Sequence, residues 1–396
     1  MANFTTASEN WLSRDFFGQA RPIQLSHKKI AEPPMNRFLL LAALVVALVP
    51  IGPAFAADPA AVQHSIAQAT AFLVSCQADD GSFTADIGPA MTGLVLTALV
   101  RSGTPPDAPV VQRGLAALLA FRQSDGGIYA AGSPVANYET SIAMLALAAC
   151  NTDGGLDTEV AAAGAFVKKL QWDEGEGRDE GDASFGGAGY GHHSRPDLSN
   201  TAFMVEALQT IGTSENDPAI QRALVFISRT QNLPGPHNPL PYAAKNPDGG
   251  FYYTPANGGE SQAGLTDNGG LRSYASMTYA GLKSMIFAGV GRDDPRVAAA
   301  VAWLRKHYTF EENPGMGQAG LYYYFHTASK ALAVLGENSF IDAEGTPHAW
   351  RDELTTAILA RQSEDGSWVN ANERWMEHRP ELVTSYALLA LANCRP

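Results

Sequence analysis

Cysteine is scarce in this chain: Cys76, Cys150 and Cys394 are the only three. An odd number so widely spaced does not make a disulfide framework. Cys150 and Cys394 end matching segments, Ala-Ala-Cys and Ala-Asn-Cys, and read as small buried residues, with a bridge between them as the alternative. No Cys-x-x-Cys or His-Glu-x-x-His spacing occurs, which removes the commonest redox and zinc signatures. Basic residues are few and unclustered, 27 Lys and Arg against 40 Asp and Glu. An acidic chain without a basic block is a poor partner for nucleic acid or an anionic membrane surface. The longest apolar run near the N-terminus, Phe38 to Val49, falls short of the roughly 20 residues that span a bilayer.

That run has a different meaning. Met35-Asn36-Arg37 precedes it and Ala54-Phe55-Ala56 follows, the charged, apolar, small-residue order of a secretory signal peptide. The expected division is a polar extension over 1–34, with Met35 as an alternative start, a signal peptide over 35–57 and one domain over 58–396. An uncleaved anchor is the competing reading. Export to the periplasm or the exterior is expected, and residues 58–396 then hold 22 basic against 37 acidic side chains, net −15.

What is present is a repeat, and periods of roughly 20 to 50 residues dictate architecture. Gln362-Ser363-Glu364-Asp365-Gly366-Ser367-Trp368 is its clearest copy. Looser copies start at Gln77, Gln123, Gln171 and Gln231, and a degenerate one runs from Trp303 through Tyr308 to Tyr322, making six. An apolar-periodic segment precedes each glutamine and another follows the Gly-aromatic turn, which predicts a helical hairpin per unit. Asp-Gly is read as a turn and helix stop. The second helices align on Thr92, Thr140, Thr201, Thr327 and Thr384, with Tyr274-Ala275 in the remaining unit, and threonine there reads as an N-cap. These helices are apolar nearly all round, as in Thr201-Ala202-Phe203-Met204-Val205, whereas the first helices carry charge. Buried and half-buried helices in alternation predict two concentric layers. The last repeat ends in an apolar segment, Tyr386 to Leu391, which an open solenoid would need to cap with polar residues. The expectation is an all-α fold, a closed (α/α)6 toroid rather than an open superhelix.

The Gln-x-x-Asp-Gly-x-Trp unit resembles the QW repeat of squalene and oxidosqualene cyclases. Over about residues 60–394 the chain resembles the prenyltransferase/squalene-oxidase repeat superfamily, including terpenoid cyclases and protein prenyltransferase β subunits. The resemblance implies an α/α barrel with a ligand cavity lined by the inner-helix N-termini and adjoining loops. It also exposes gaps. Where such cyclases carry Asp-x-Asp-Asp-Thr-Ala, this chain has Asp197-Leu198-Ser199-Asn200-Thr201-Ala202, with Ser199 at the proton donor's position. A serine hydroxyl does not protonate an alkene. Tyr324-Phe325-His326-Thr327 resembles the zinc-ligand segment of prenyltransferases, but Arg272 and Tyr274 stand where their Asp and Cys ligands stand. A catalytic zinc takes about three protein ligands, so neither metal nor cofactor is expected.

With the inner-helix starts taken as the cavity rim, the candidate catalytic residues are Glu139, Asp197 and His326. The candidate ligand-binding residues are Tyr138, Asn200, Arg272, Tyr274, Tyr324 and Phe325. Aromatic faces suit an apolar isoprenoid-like ligand and stabilise cations; filling of the barrel by these rings is the competing reading. Glu139 beside a buried helix is a general-acid candidate, because desolvation raises a carboxyl pKa. Its alternative is an exposed carboxylate favoured by the helix dipole. The Gly-rich stretch Asp173 to Asp197, with His192-His193, and the Pro-rich insertion Leu233 to Leu271 both fall between first and second helices and are placed over one ring face. The Gly-rich stretch matches no phosphate-binding fingerprint, since no strand precedes it. Two other readings stay open. One is a non-catalytic toroid that binds a protein or glycan on its loop face. The other is a carbohydrate-active (α/α)6 enzyme pairing Glu139 with Asp197 or Asp182.

Overall fold

The computed structural model describes residues 57–395. The proposed polar extension and nearly all of the proposed signal peptide lie outside them. Among the described residues no helix is long and apolar enough to cross a membrane. Among the described residues the regular structure is thirteen α-helices, four single-turn 3-10 helices and one two-stranded antiparallel hairpin.

Six helices form an inner ring: α2 (Pro89–Ser102), α4 (Ala136–Cys150), α6 (Leu198–Thr210), α9 (Ala275–Phe287), α11 (Leu321–Leu335) and α13 (Pro380–Asn393). Each packs on the next, and α13 packs back on α2, so the array closes. Six more lie outside: α1 (Pro59–Ser75), α3 (Pro109–Leu119), α5 (Asp157–Lys169), α7 (Pro218–Arg229), α10 (Pro295–Lys306) and α12 (Trp350–Leu359). The fold is therefore an all-α (α/α)6 toroid. A five-residue helix, α8 (Pro241–Lys245), sits in the Pro-rich insertion, and β1 (Phe340–Ile341) pairs with β2 (Pro347–His348).

Local sequence explains both layers. Outer helices α1, α7 and α10 begin Asp-Pro, where proline fits the first helical position. The Asp58, Asp217 and Asp294 side chains accept from Ala60, Ala219 and Arg296 N–H groups. Inner helices lose nearly every side chain from water; α2 is buried from Pro89 to Leu99. A helix buried on all sides has no polar face to define, which is why its sequence is apolar throughout.

The repeated glutamine sews neighbouring hairpins together. Gln77 Nε2 donates to Gly81 O and to Val110 O in the first turn of the next outer helix, at 3.0 and 2.8 Å. Gln171 and Gln231 repeat this with Ala219 O and Arg296 O. Gln362 reaches Ser65 O of α1 at 3.0 Å, and so ties the last unit to the first. Gln123 bonds locally to Tyr129 O instead, and an Arg122–Glu159 ion pair spans that seam. In the degenerate unit the Tyr308 hydroxyl takes over, donating to Glu353 on α12.

Three details of the expected geometry change. Outer helices end several residues before the Asp-Gly pair, α1 at Ser75 and α12 at Leu359, so the glycine is no helix stop. It serves a close approach: Gly366 has φ +87°, and a Cβ there would lie 2.7 Å from the Gln68 carbonyl of α1. The threonines are not N-caps. Thr92, Thr140, Thr201 and Thr384 lie inside the first turn or just beyond it and accept from the N–H groups of Phe83, Ile128, Ala188 and Trp368. In the fourth unit Thr278 does this for Phe251, three residues past the expected position. Finally, all three cysteines are free thiols, so the Cys150–Cys394 bridge is absent.

Candidate functional site

The inner helices run the same way, with N-termini under the long loops and C-termini at the opposite end. At the N-terminal end three carboxyls are buried, and each is engaged by backbone. Asp197 is 1 % exposed and caps α6, accepting from Asn200 N at 2.9 Å and Asn200 Nδ2 at 2.8 Å. Burial pushes its pKa up to about 6 against those donors. Glu139, in the first turn of α4, accepts from Ala130 N at 3.3 Å and lies against Gly88, where a Cβ would strike its carboxylate. Burial pushes it up to about 7. Glu377 accepts from the N–H groups of Tyr322 and Tyr323, at 3.1 and 2.9 Å, and from Asn370 Nδ2, thereby capping α11. It too is pushed up to about 7 by burial.

Below these groups an aromatic layer crosses the barrel. Tyr138 lies edge-on to Phe203 with centroids 5.6 Å apart, and Phe203 meets Tyr323 at 6.1 Å. Tyr323 meets Tyr386 at 6.0 Å, and Tyr386 stacks on His326 at 5.4 Å. Tyr323 also shares a 3.0 Å hydrogen bond with Ser199.

On the far side of this layer is a cavity of about 360 Å³ among the C-terminal halves of α2, α4, α6, α11 and α13. Its walls are mainly apolar, with Leu94, Ile142, Leu145, Phe203 and Leu389. Its polar part includes Glu206 of α6 and Lys330 and His326 of α11, and Lys283 of α9 lies behind Glu206. Glu206 forms a short ion pair with Lys283, both almost wholly buried, and Lys330 Nζ lies 3.6 Å from the other Glu206 oxygen. Burial opposes the Glu206 charge, but Lys283 and Lys330 hold its pKa well below the usual range. His326 is held neutral, lowered to about 3 chiefly by burial. Its Nδ1 has no hydrogen-bond partner among the described residues.

Of the residues predicted from sequence, His326 alone lines this cavity. Tyr138 joins the aromatic layer above it. Asp197 and Asn200 form a capping pair, and Tyr274 is the buried residue before α9. Arg272 is exposed, its Nε donating to Leu265 O on the Pro-rich insertion. Tyr324 and Phe325 are buried between helices; the Tyr324 hydroxyl donates to Thr309 O, and Arg361 of the outer layer lies over the Phe325 ring. Asp182 is a loop residue that pairs with Arg178 at 2.6 Å and accepts from Ser184 N, away from the cavity lining. Asp197, Glu139 and Asn200 of the expected rim take part in backbone or capping hydrogen bonds, and the cavity described above lies at the other end of the same helices. Glu206, Lys283, Lys330, Phe203 and Tyr386 are what sequence reasoning missed. The available signal was charge inside helices otherwise apolar all round. Among the described residues no three His, Cys, Asp or Glu side chains gather in a metal-holding cluster.

The family model of the squalene-hopene cyclase C-terminal domain matches residues 76–254. A search of curated proteins finds no match. Solved structures of the type II terpene cyclase MstE from Scytonema are similar in fold. A variant in complex with merosterolic acid A, its product, superposes with TM-score 0.52 at 16% identity, covering 84% of this chain and 97% of that one. A variant with geranylgeranyl dihydroxybenzoate, its substrate, gives 0.53 at 14% identity, covering 85% and 97%. The apo form gives 0.51 at 15% identity, covering 84% and 98%. Closed ring, partial family match and shared fold give this chain the α/α-toroid architecture of type II terpene cyclases, and residues 76–254 are similar to the squalene-hopene cyclase C-terminal domain.

Proposed function

We propose that this protein takes an isoprenoid-like apolar molecule into the cavity at the C-terminal ends of its inner helices. The observation that carries the reading is an apolar-walled space of about 360 Å³ inside the barrel, in the size range of small-molecule sites. Solved structures of the same fold hold a geranylgeranyl compound and a cyclised product, which supports the ligand class.

The groups around the cavity favour binding, or proton abstraction, over alkene protonation. Glu206 is held ionised and His326 neutral, so neither offers a ready strong acid. A neutral imidazole with a free ring nitrogen can accept a proton. Export is part of the same proposal and rests on the sequence of residues 35–57. N-terminal sequencing of the protein recovered outside the cytoplasm tests it: a mature start near Ala57 or Asp58 is expected, and an intact N-terminus there contradicts it.

The test of binding is titration of the purified protein with farnesol, followed by fluorescence or calorimetry. Saturable binding, lost in Leu145→Trp with the fold kept by circular dichroism, is the expected result. No saturation, or unchanged binding in Leu145→Trp, sinks the reading.

A further inference from the structure

The charge inside this cavity is opposite to that of the whole chain. The protein is acidic, with formal net charge −13. The charged side chains that line the cavity are Glu206, Lys330 and Arg101, and Lys283, behind the lining, pairs with Glu206. Glu206 is already committed to Lys283, with side-chain exposures of 5 % and 2 %. Lys330 is therefore a surplus cation, 17 % exposed, whose nearest carboxylate oxygen is 3.6 Å away and shared. Arg101 stands at the mouth with one long contact, 3.4 Å to Asn393 Oδ1. Burying an ammonium without a full counter-charge is costly, so such a group is normally paired.

The helix C-termini around the mouth pull the potential the other way, but that influence fades within the last turn. Lys330 lies five residues before the end of α11, beyond its reach. Beside it, the unpartnered and buried Nδ1 of His326 marks a second polar position in the cavity that the protein does not satisfy itself.

We propose that the molecule taken up here is an apolar-chain carboxylate, its head held by Lys330 and Arg101 and its chain lying against Leu94, Ile142 and Phe203. One carboxylate supplies the single negative charge that the inner cluster lacks. Arg101 is exposed and Lys330 lies behind it, so the polar end enters last and the chain first. The inference rests on the isoprenoid-binding reading and adds the head group to it.

Three probes with one chain separate the claims: farnesol, farnesoic acid and farnesyl monophosphate, titrated into the purified protein. Farnesoic acid is expected to bind about tenfold or more tighter than farnesol, the gain of one charge-assisted contact. Lys330→Gln should remove that advantage, and Lys330→Arg should keep it. Equal binding of acid and alcohol overturns the head-group inference and leaves the isoprenoid reading standing. An advantage that survives in Lys330→Gln overturns the assignment to Lys330. Tighter binding of the phosphate overturns the carboxylate. Binding of none of the three overturns both readings together.

Discussion

The Glu206–Lys283 pair gives the sharpest energetic test of the cavity. Both side chains are at most 5 % exposed, and they join α6 to α9 across the inner ring. Replacing Lys283 with Met keeps the volume but leaves Glu206 buried without its main partner. Breaking a buried pair on one side costs ~3–5 kcal/mol. Lys330, 3.6 Å from Glu206 Oε1, remains. At an effective dielectric near 20 that contact is worth about 4 kcal/mol before desolvation, so the loss should fall at the lower end, about 3 kcal/mol. Removing both charges with Glu206→Gln/Lys283→Met should recover at least half of it, because no orphan carboxylate is left. Urea unfolding at neutral pH measures all three proteins on one scale. A loss below ~1 kcal/mol for Lys283→Met, or a double variant as unstable as the sum of the singles, would refute the reasoning.

Other predictions concern the ring and its titrating groups. Gly366→Ala should cost more than ~2 kcal/mol, since the residue has φ +87° and its Cβ would meet Gln68 backbone at 2.7 Å. Gln362→Ala, which loses bonds to Ser65 O and Gly366 O, should cost about 1–2 kcal/mol; denaturant midpoints check both. Glu377 carries a folded pKa raised from 4.5 to about 7, so its stabilising contribution is full below 4.5 and is lost as pH rises to about 7. The stability of the protein relative to Glu377→Gln should therefore fall by about 3 kcal/mol across that window, and a flat difference contradicts it. His348 lies 3.0 Å from both Asp342 and Glu353, and although burial opposes its charge, these carboxylates raise its pKa above 6.5. Its support of the hairpin against α12 should be complete below pH 6.5 and disappear as pH rises through the raised value. Histidine NMR titration with the His348→Gln stability difference tests this.

The architecture was readable because it is written in side-chain types. Thr201-Ala202-Phe203-Met204-Val205 cannot face water on any side, and five glutamines at the ends of outer helices announce one repeated seam. The roles within each repeat were less legible. A threonine near a helix start looks like a cap, and only the fold reveals that its hydroxyl receives the N–H of a turn residue well upstream, 9 residues for Phe83 and Thr92 and 16 for Trp368 and Thr384. Glycine in Asp-Gly looks like a helix stop, yet what it permits is contact with a helix of the next unit, distant in sequence.

The cavity was not foreseen for a related reason. Acids at inner-helix starts look catalytic in sequence, but backbone N–H groups and loops close over Asp197, Glu139 and Glu377. The open space is set by which side chains are small at the other end, Ala148 and Ala149 against Thr97 and Val100, and that is a property of the closed ring. Glu206, Lys283 and Lys330 stood in plain view as charges within buried helices, and their meaning depended on knowing that three different helices bring them together.

A crystal structure of the protein soaked or co-crystallised with farnesoic acid tests the central claim directly. The account predicts density for the chain between α2, α4, α6 and α11, below the Phe203–Tyr323 aromatic layer, with the carboxylate within hydrogen-bond distance of Lys330. Density at the N-terminal end beside Asp197 and Glu139, with the C-terminal cavity filled only by water, would contradict it.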